Sequence, residues 1–171
     1  MRVHLLRAVN VGGATLPMAE LRELATDLGA TDVRTHIASG NLLCTPPSEP
    51  AVFDRALEQA IEARFGFFRE VVSRSPEELR AALADHPVAV VEPKLSHVYF
   101  LIDEPTPDAV RAFEAEDWRG DDVRVLGRDL HVRYRDGVAG SRITPARVRR
   151  LLGHHGTGRN LTTVQKLIDL A

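Results

Sequence analysis

The sequence predicts an α+β protein built from two similar units in tandem, and three observations carry that expectation. Over about the first 75 residues the spacing of apolar side chains alternates between strand and helix periods in the order β-α-β-β-α-β. From His97 the order returns as strand, helix, strand, strand, helix. The breaks fall at residues that stop or start regular structure, among them Gly29, Pro46-Pro47, Gly66 and Ser75-Pro76. That order is the split βαβ, or ferredoxin-like, arrangement.

Val3 to Val9 is an apolar run long enough for a strand buried on both faces. It runs into Asn10-Val11-Gly12-Gly13. After Pro17, the residues Met18, Leu21, Leu24, Ala25 and Leu28 recur at helical spacing, and Gly29 stands where a left-handed cap is expected. Val33, Thr35 and Ile37 alternate as a strand, Ser39-Gly40 turns the chain, and Asn41 to Thr45 returns as a hairpin partner. Phe53, Leu57, Ala60, Ile61 and Phe65 form the apolar stripe of a second helix, followed by a strand over Phe67 to Ser73. Ser75-Pro76-Glu77-Glu78 is a capping box with proline in the first turn, opening a helix over 75–85.

Val88 to Val91 is then a short apolar segment. The second unit reads as a strand over Val98 to Ile102, a helix opened by Thr106-Pro107, strands over Val123 to Leu126 and Leu130 to Tyr134 around Gly127-Arg128, and a helix opened by Thr144-Pro145. Gly153 to Asn160 reads as a glycine-rich basic loop, and Thr162-Thr163-Val164-Gln165 as the capping box of a last helix with Val164, Leu167 and Ile168 inward. The expected division is a ferredoxin-like unit over 1–75, then a linking helix, a second such unit and the C-terminal helix over 76–171.

Composition bounds what the chain does. A net charge of −2 argues against a general polyanion binder. Residues 136–171 alone are basic, with 6 cationic and 2 anionic side chains against 8 and 13 in residues 76–135, so docking on the acidic middle is the plainer use of that charge. Cys44 is the only cysteine and sits in an apolar run, which excludes an internal disulfide and a thiolate zinc cage. The N-terminus carries no export signal and no apolar run reaches membrane-spanning length, so the expected compartment is the cytoplasm and no membrane partner is expected.

Strand order also implies a location. In the usual antiparallel sheet of this fold the first and third strands are neighbours, so the turn after the first strand and the hairpin between the second and third meet at one rim. Asn10 to Gly13 and Ser39 to Asn41 are therefore expected side by side. Arg7, Asn10, Ser39 and Asn41, with Lys166, would offer amide, hydroxyl and cationic donors to a small phosphate or carboxylate. The bland account is that both asparagines cap turns on their own backbone, and that Arg7 pairs with a carboxylate such as Glu20.

Leu5-Leu6-Arg7-Ala8-Val9-Asn10-Val11-Gly12-Gly13, Leu16-Pro17-Met18-Ala19-Glu20-Leu21, Ser39-Gly40-Asn41 and Arg159-Asn160-Leu161-Thr162-Thr163-Val164-Gln165-Lys166-Leu167 together resemble the bacterial family called domain of unknown function 1697. The resemblance implies a cytoplasmic α+β protein of two ferredoxin-like parts with no established activity. It matches Asn10, Gly12, Gly13, Ser39, Gly40, Asn41, Asn160, Thr163 and Lys166. It departs at Ala8, where the pattern has glycine, and at Leu161, where it has tryptophan. Alanine is harmless at position 8 if the backbone there is extended.

No reaction and no cofactor follow from these residues. His36 is too near Ser39 along the strand to serve it as a base, and no nucleophile elbow is present. His154 and His155 diverge, and Asp121-Asp122 reads as a solvated pair. The basic-aromatic run of an RNA-binding sheet is missing, and Phe67-Phe68 and Tyr99-Phe100 are accounted for by core packing on strands, so nucleic acid is not the expected partner. The expected function is binding of a small molecule or anion, such as a phosphate or carboxylate, at the rim made by Arg7, Asn10, Gly12, Gly13, Ser39, Gly40 and Asn41, with Asn160 and Lys166. The alternative is a protein-interaction module whose glycine turns are structural.

Overall fold

The structure is a computed structural model describing residues 1–171. Contacts divide it into two compact units, Met1–Leu79 with Leu167–Ala171, and Arg80–Lys166.

The first unit contains β1 (Arg2–Leu6), α1 (Met18–Asp27), β2 (Thr31–His36), β3 (Asn41–Thr45), α2 (Pro50–Phe65) and β4 (Val71–Arg74), with α3 (Pro76–Ala84) leading out of it. Its sheet has the order β2-β3-β1-β4, and β1 runs antiparallel to both neighbours, Leu5 facing Asn41 and Val72. One face of the sheet packs Leu6, Leu42, Cys44 and Val71 against Leu21, Leu24, Ala25, Phe53, Leu57 and Ile61 of the two helices. Each fully buried leucine or isoleucine there contributes about 1.5–3 kcal/mol. Gly66 ends α2 in the left-handed conformation. The capping box opening α3 is reciprocal: Glu78 N–H donates to Ser75 Oγ at 3.1 Å and Ser75 N–H to Glu78 Oε2 at 2.7 Å.

The second unit contains β5 (Ser96–Leu101), α4 (Pro107–Glu114), β6 (Asp122–Leu126), β7 (Asp129–Arg133), α5 (Pro145–Leu152) and β8 (Gly156–Asn160), followed by α6 (Leu161–Leu170). Its sheet order is β6-β7-β5-β8, the same path through the same fold. Phe113, Val148 and Leu152 cover Tyr99, Leu101, Val125, Leu130 and Val132. Thr106 and Thr144 cap α4 and α5 by accepting from Ala109 and Arg147 N–H.

Several sequence-based expectations need correction. The segment expected as a basic loop is in large part β8, paired with β5 from His97–Asn160 to Leu101–Gly156. Its glycines concealed it, because strands usually lack them, yet here they are required: a Cβ on Gly158 would lie 2.6 Å from the Tyr99 ring. The cap of α6 is Asn160, whose Oδ1 accepts from Thr163 N–H at 2.8 Å, so the helix starts before the expected Thr162. The first strand stops at Leu6 and the fourth starts at Val71, which leaves Phe67 and Phe68 outside the sheet, Phe68 exposed.

Candidate functional site

The two distant turns do meet. Leu6 N–H donates to the Gly40 carbonyl at 2.8 Å, and Asn10 Nδ2 donates to the Ala38 carbonyl at 2.6 Å. The rest of the Asn10 amide folds its own loop, Nδ2 donating to the Leu16 carbonyl at 3.1 Å and Oδ1 accepting from Leu16 N–H at 2.8 Å. Asn10 is thus a clamp between two turns, with both amide hydrogens engaged. Asn41 is fully buried and donates to the His36 carbonyl and to Ser39 Oγ, each at 3.0 Å.

Arg7 is held by Glu70 at 2.9 Å, and Glu20 pairs with Arg64 instead. The reason is the path of β4: Arg7 N–H donates to the Glu70 carbonyl, which brings that side chain alongside. Asn160 and Lys166 belong to the second unit, Asn160 as the α6 cap and Lys166 exposed on α6. The expected set is thereby divided: Arg7, Asn10, Gly12, Gly13, Ser39, Gly40 and Asn41 are on the first unit's rim.

The rim's backbone is unusual. Ala8, Asn10 and Ile37 have φ of 50°, 57° and 49°, in the left-handed region that costs an L-residue about 1 kcal/mol or more. Position 8 is therefore not extended, which explains why the resembling pattern has glycine there. Gly40 has no room for another residue, since a Cβ would stand 2.5 Å from Val9 Cγ2. At Gly12 and Gly13 the same atom would meet open space. Val11 and Ile37 remain outward, 58% and 54% exposed. The main-chain N–H groups of Val11, Gly12 and Gly13 donate to no group of the chain.

Two buried polar arrangements escaped the sequence. In the first unit Asp54 accepts from His4 Nδ1 at 2.6 Å and from Ser73 Oγ at 2.7 Å. The carboxylate stands between the other two, so the imidazole cannot activate the hydroxyl, and the trio is a packing device rather than a nucleophile relay. Glu58, buried beside it, accepts from Val71 N–H at 2.7 Å and pairs with Arg55, while burial pushes its carboxyl above the usual range. In the second unit His86 and His131 meet through Nδ1 atoms 2.7 Å apart. The available signal was an imidazole inside an apolar strand, His4 between Val3 and Leu5 and His131 between Leu130 and Val132.

Elsewhere Cys44 is buried and its thiol is pushed up to about 12, an inert packing residue. Asp121 is partly buried and accepts from Ser141 Oγ and Arg135 N–H, whereas Asp122, at the start of β6, is solvated as expected and pairs with Arg133. Arg147 pairs with Glu116 at 2.5 Å and lies over the Trp118 ring. A cavity of about 360 Å3 in the second unit is lined by Val88, Glu114, Trp118, Asp121 and Arg124 among others. No group of three or more His, Cys, Asp or Glu side chains converges to hold a metal. No helix is long and apolar enough to cross a membrane.

The profile of the family described as "Protein of unknown function (DUF1697)" matches residues 1–131. The chain belongs to this family. No protein with a curated description matches this DUF1697 member. Among solved structures it is similar to a conserved bacterial protein from Streptococcus pneumoniae, with a TM-score of 0.71 and 23% sequence identity over 99% of this chain and 97% of that one. That likeness establishes the shared two-unit fold of the DUF1697 chain.

Proposed function

We propose that this chain is a bacterial, cytoplasmic protein-interaction module that meets its partner with the rim of the first unit. One observation carries the reading. The side chains best suited to a small ligand, Asn10 and Asn41, are occupied by the turns themselves, while Val11 and Ile37 stand outward on turns that Asn10 clamps together. A small polar ligand needs convergent free donors; a protein surface needs fixed apolar contacts. Backbone strain concentrated at Ala8, Asn10 and Ile37 fits a surface kept for use rather than for stability. A lone buried cysteine fits a reducing compartment.

The test is partner capture by the wild type and by Val11→Glu with Ile37→Glu. Both positions are exposed, so the double variant is expected to melt as the wild type does and to lose the partner. Capture that survives the double change overturns the reading. A second reading, binding of a small phosphate or carboxylate, is favoured by the three successive N–H groups of Val11, Gly12 and Gly13 that lack an acceptor in the chain. Under it, inorganic phosphate raises the melting temperature saturably; under the first, phosphate leaves it unchanged.

A further inference from the structure

We infer that the contact between His86 and His131 is a proton-operated latch, holding residues 86–89 on the second unit's sheet while both imidazoles are neutral and releasing them on protonation. The segment between α3 and β5 has little else to hold it. From 86 to 94 no other side chain makes a hydrogen bond, and His86 N–H reaches the Leu83 carbonyl only at 3.4 Å. Val90 and Val91 are exposed, and Val88 at the start of the segment is buried.

The chemistry is set by two nitrogens 2.7 Å apart. Between neutral imidazoles one Nδ1–H donates and the other Nδ1 accepts. His86 Nε2 is buried without a partner, so it suits the unprotonated nitrogen, which makes His86 the Nδ1 donor. One added proton leaves a buried net charge, and a second makes both facing nitrogens donors. Water solvates the imidazolium in the open segment, so acid favours opening. In agreement, burial and the neighbouring His86 hold the His131 imidazole down to about 4, and burial lowers His86 below its ordinary value.

The charged groups around the pair are mixed in sign. Opposite His131 stand Arg124 on β6 and, on β5, Val98, with Arg159 next in line on β8. Asp129 and Arg133 share its face along β7, Arg133 paired to Asp122, and Asp85 precedes His86.

Trp118, the only tryptophan, reports the event because it lines one cavity together with Pro87, Val88 and Ala89. Acid titration from about pH 7 to about pH 4.5 is expected to raise acrylamide quenching of Trp118 severalfold while far-UV circular dichroism stays constant. In His86→Ala the quenching is expected to be high and independent of pH. A variant that keeps the wild-type midpoint overturns the latch and assigns the change to Glu116, Glu114, Asp121 or Asp122 around the same cavity. Amide exchange of residues 86–94 in the wild type gives an answer that needs no variant. Acceleration beyond the intrinsic pH effect, on the same midpoint as the two ring nitrogens by NMR, supports the latch, and its absence overturns it.

Discussion

The two units build their rims on the same hydrogen bonds and then diverge. Leu6 N–H reaches the Gly40 carbonyl at 2.8 Å in the first, and Leu101 N–H the Arg128 carbonyl at 2.9 Å in the second. Arg7 N–H to Glu70 at 3.0 Å is likewise repeated by Ile102 N–H to His155 at 2.9 Å. On this common frame the second unit uses a short connection, residues 102–106, and the two-residue turn Gly127-Arg128. The first uses residues 7–17 and a turn over 37–40, strained at Ala8, Asn10 and Ile37. The second unit thus closes the same fold without such a rim. The buried histidines differ too: His4 meets a carboxylate, His131 another histidine.

The sharpest way to test that contrast is Asp54→Ala, which strips His4 and Ser73 of their common acceptor inside the core. A loss of about 3–5 kcal/mol in urea unfolding is expected. Next comes the pair Gly40→Ala and Gly127→Ala, the matching hairpin turns. The first is expected to lose about 3 kcal/mol from clash with Val9 and a left-handed backbone, the second only about 1 kcal/mol, since open space surrounds Gly127. Equal losses would erase the difference between the rims.

Asn10→Ala should lower stability by about 2 kcal/mol, because it unclamps both turns and leaves the Leu16 and Ala38 groups short of partners. The melting temperature checks it. In the second unit His131 titrates lower folded than unfolded, so the unfolded chain binds more protons between about pH 4 and the ordinary histidine value. Its contribution is complete above that value and is lost as pH falls through the window, which a drop in the denaturation midpoint reads. The smallest effect is a gain: Ala8→Gly relieves a left-handed alanine and should add up to about 1 kcal/mol.

The meeting of the two rim turns was legible because strand order alone dictates it. Which donors remained available was not. Asparagine at a turn reads the same whether it bonds a ligand or the Leu16 and His36 backbone, and that depends on how the loop closes. The histidine contacts were invisible for a related reason: His4 and Asp54, or His86 and His131, are far apart in sequence and share no spacing rule.

By itself the sequence determined the order of elements, the helix caps at Ser75, Thr106 and Thr144, the hairpin at Ser39-Gly40 and the membership of Leu42 and Cys44 in a core. These follow from local backbone preference and from the periodicity of apolar side chains, which neighbours along the chain report. Only the tertiary structure decided that Gly156 to Asn160 is a strand, that Ala8 is left-handed and that Arg7 pairs with Glu70. Each rests on a partner distant in sequence: Tyr99 under Gly158, Arg69 reaching the Ala8 carbonyl at 3.0 Å, and β4 beside β1. Packing between remote segments overrides a local preference worth about 1 kcal/mol whenever the contacts it gains are worth more.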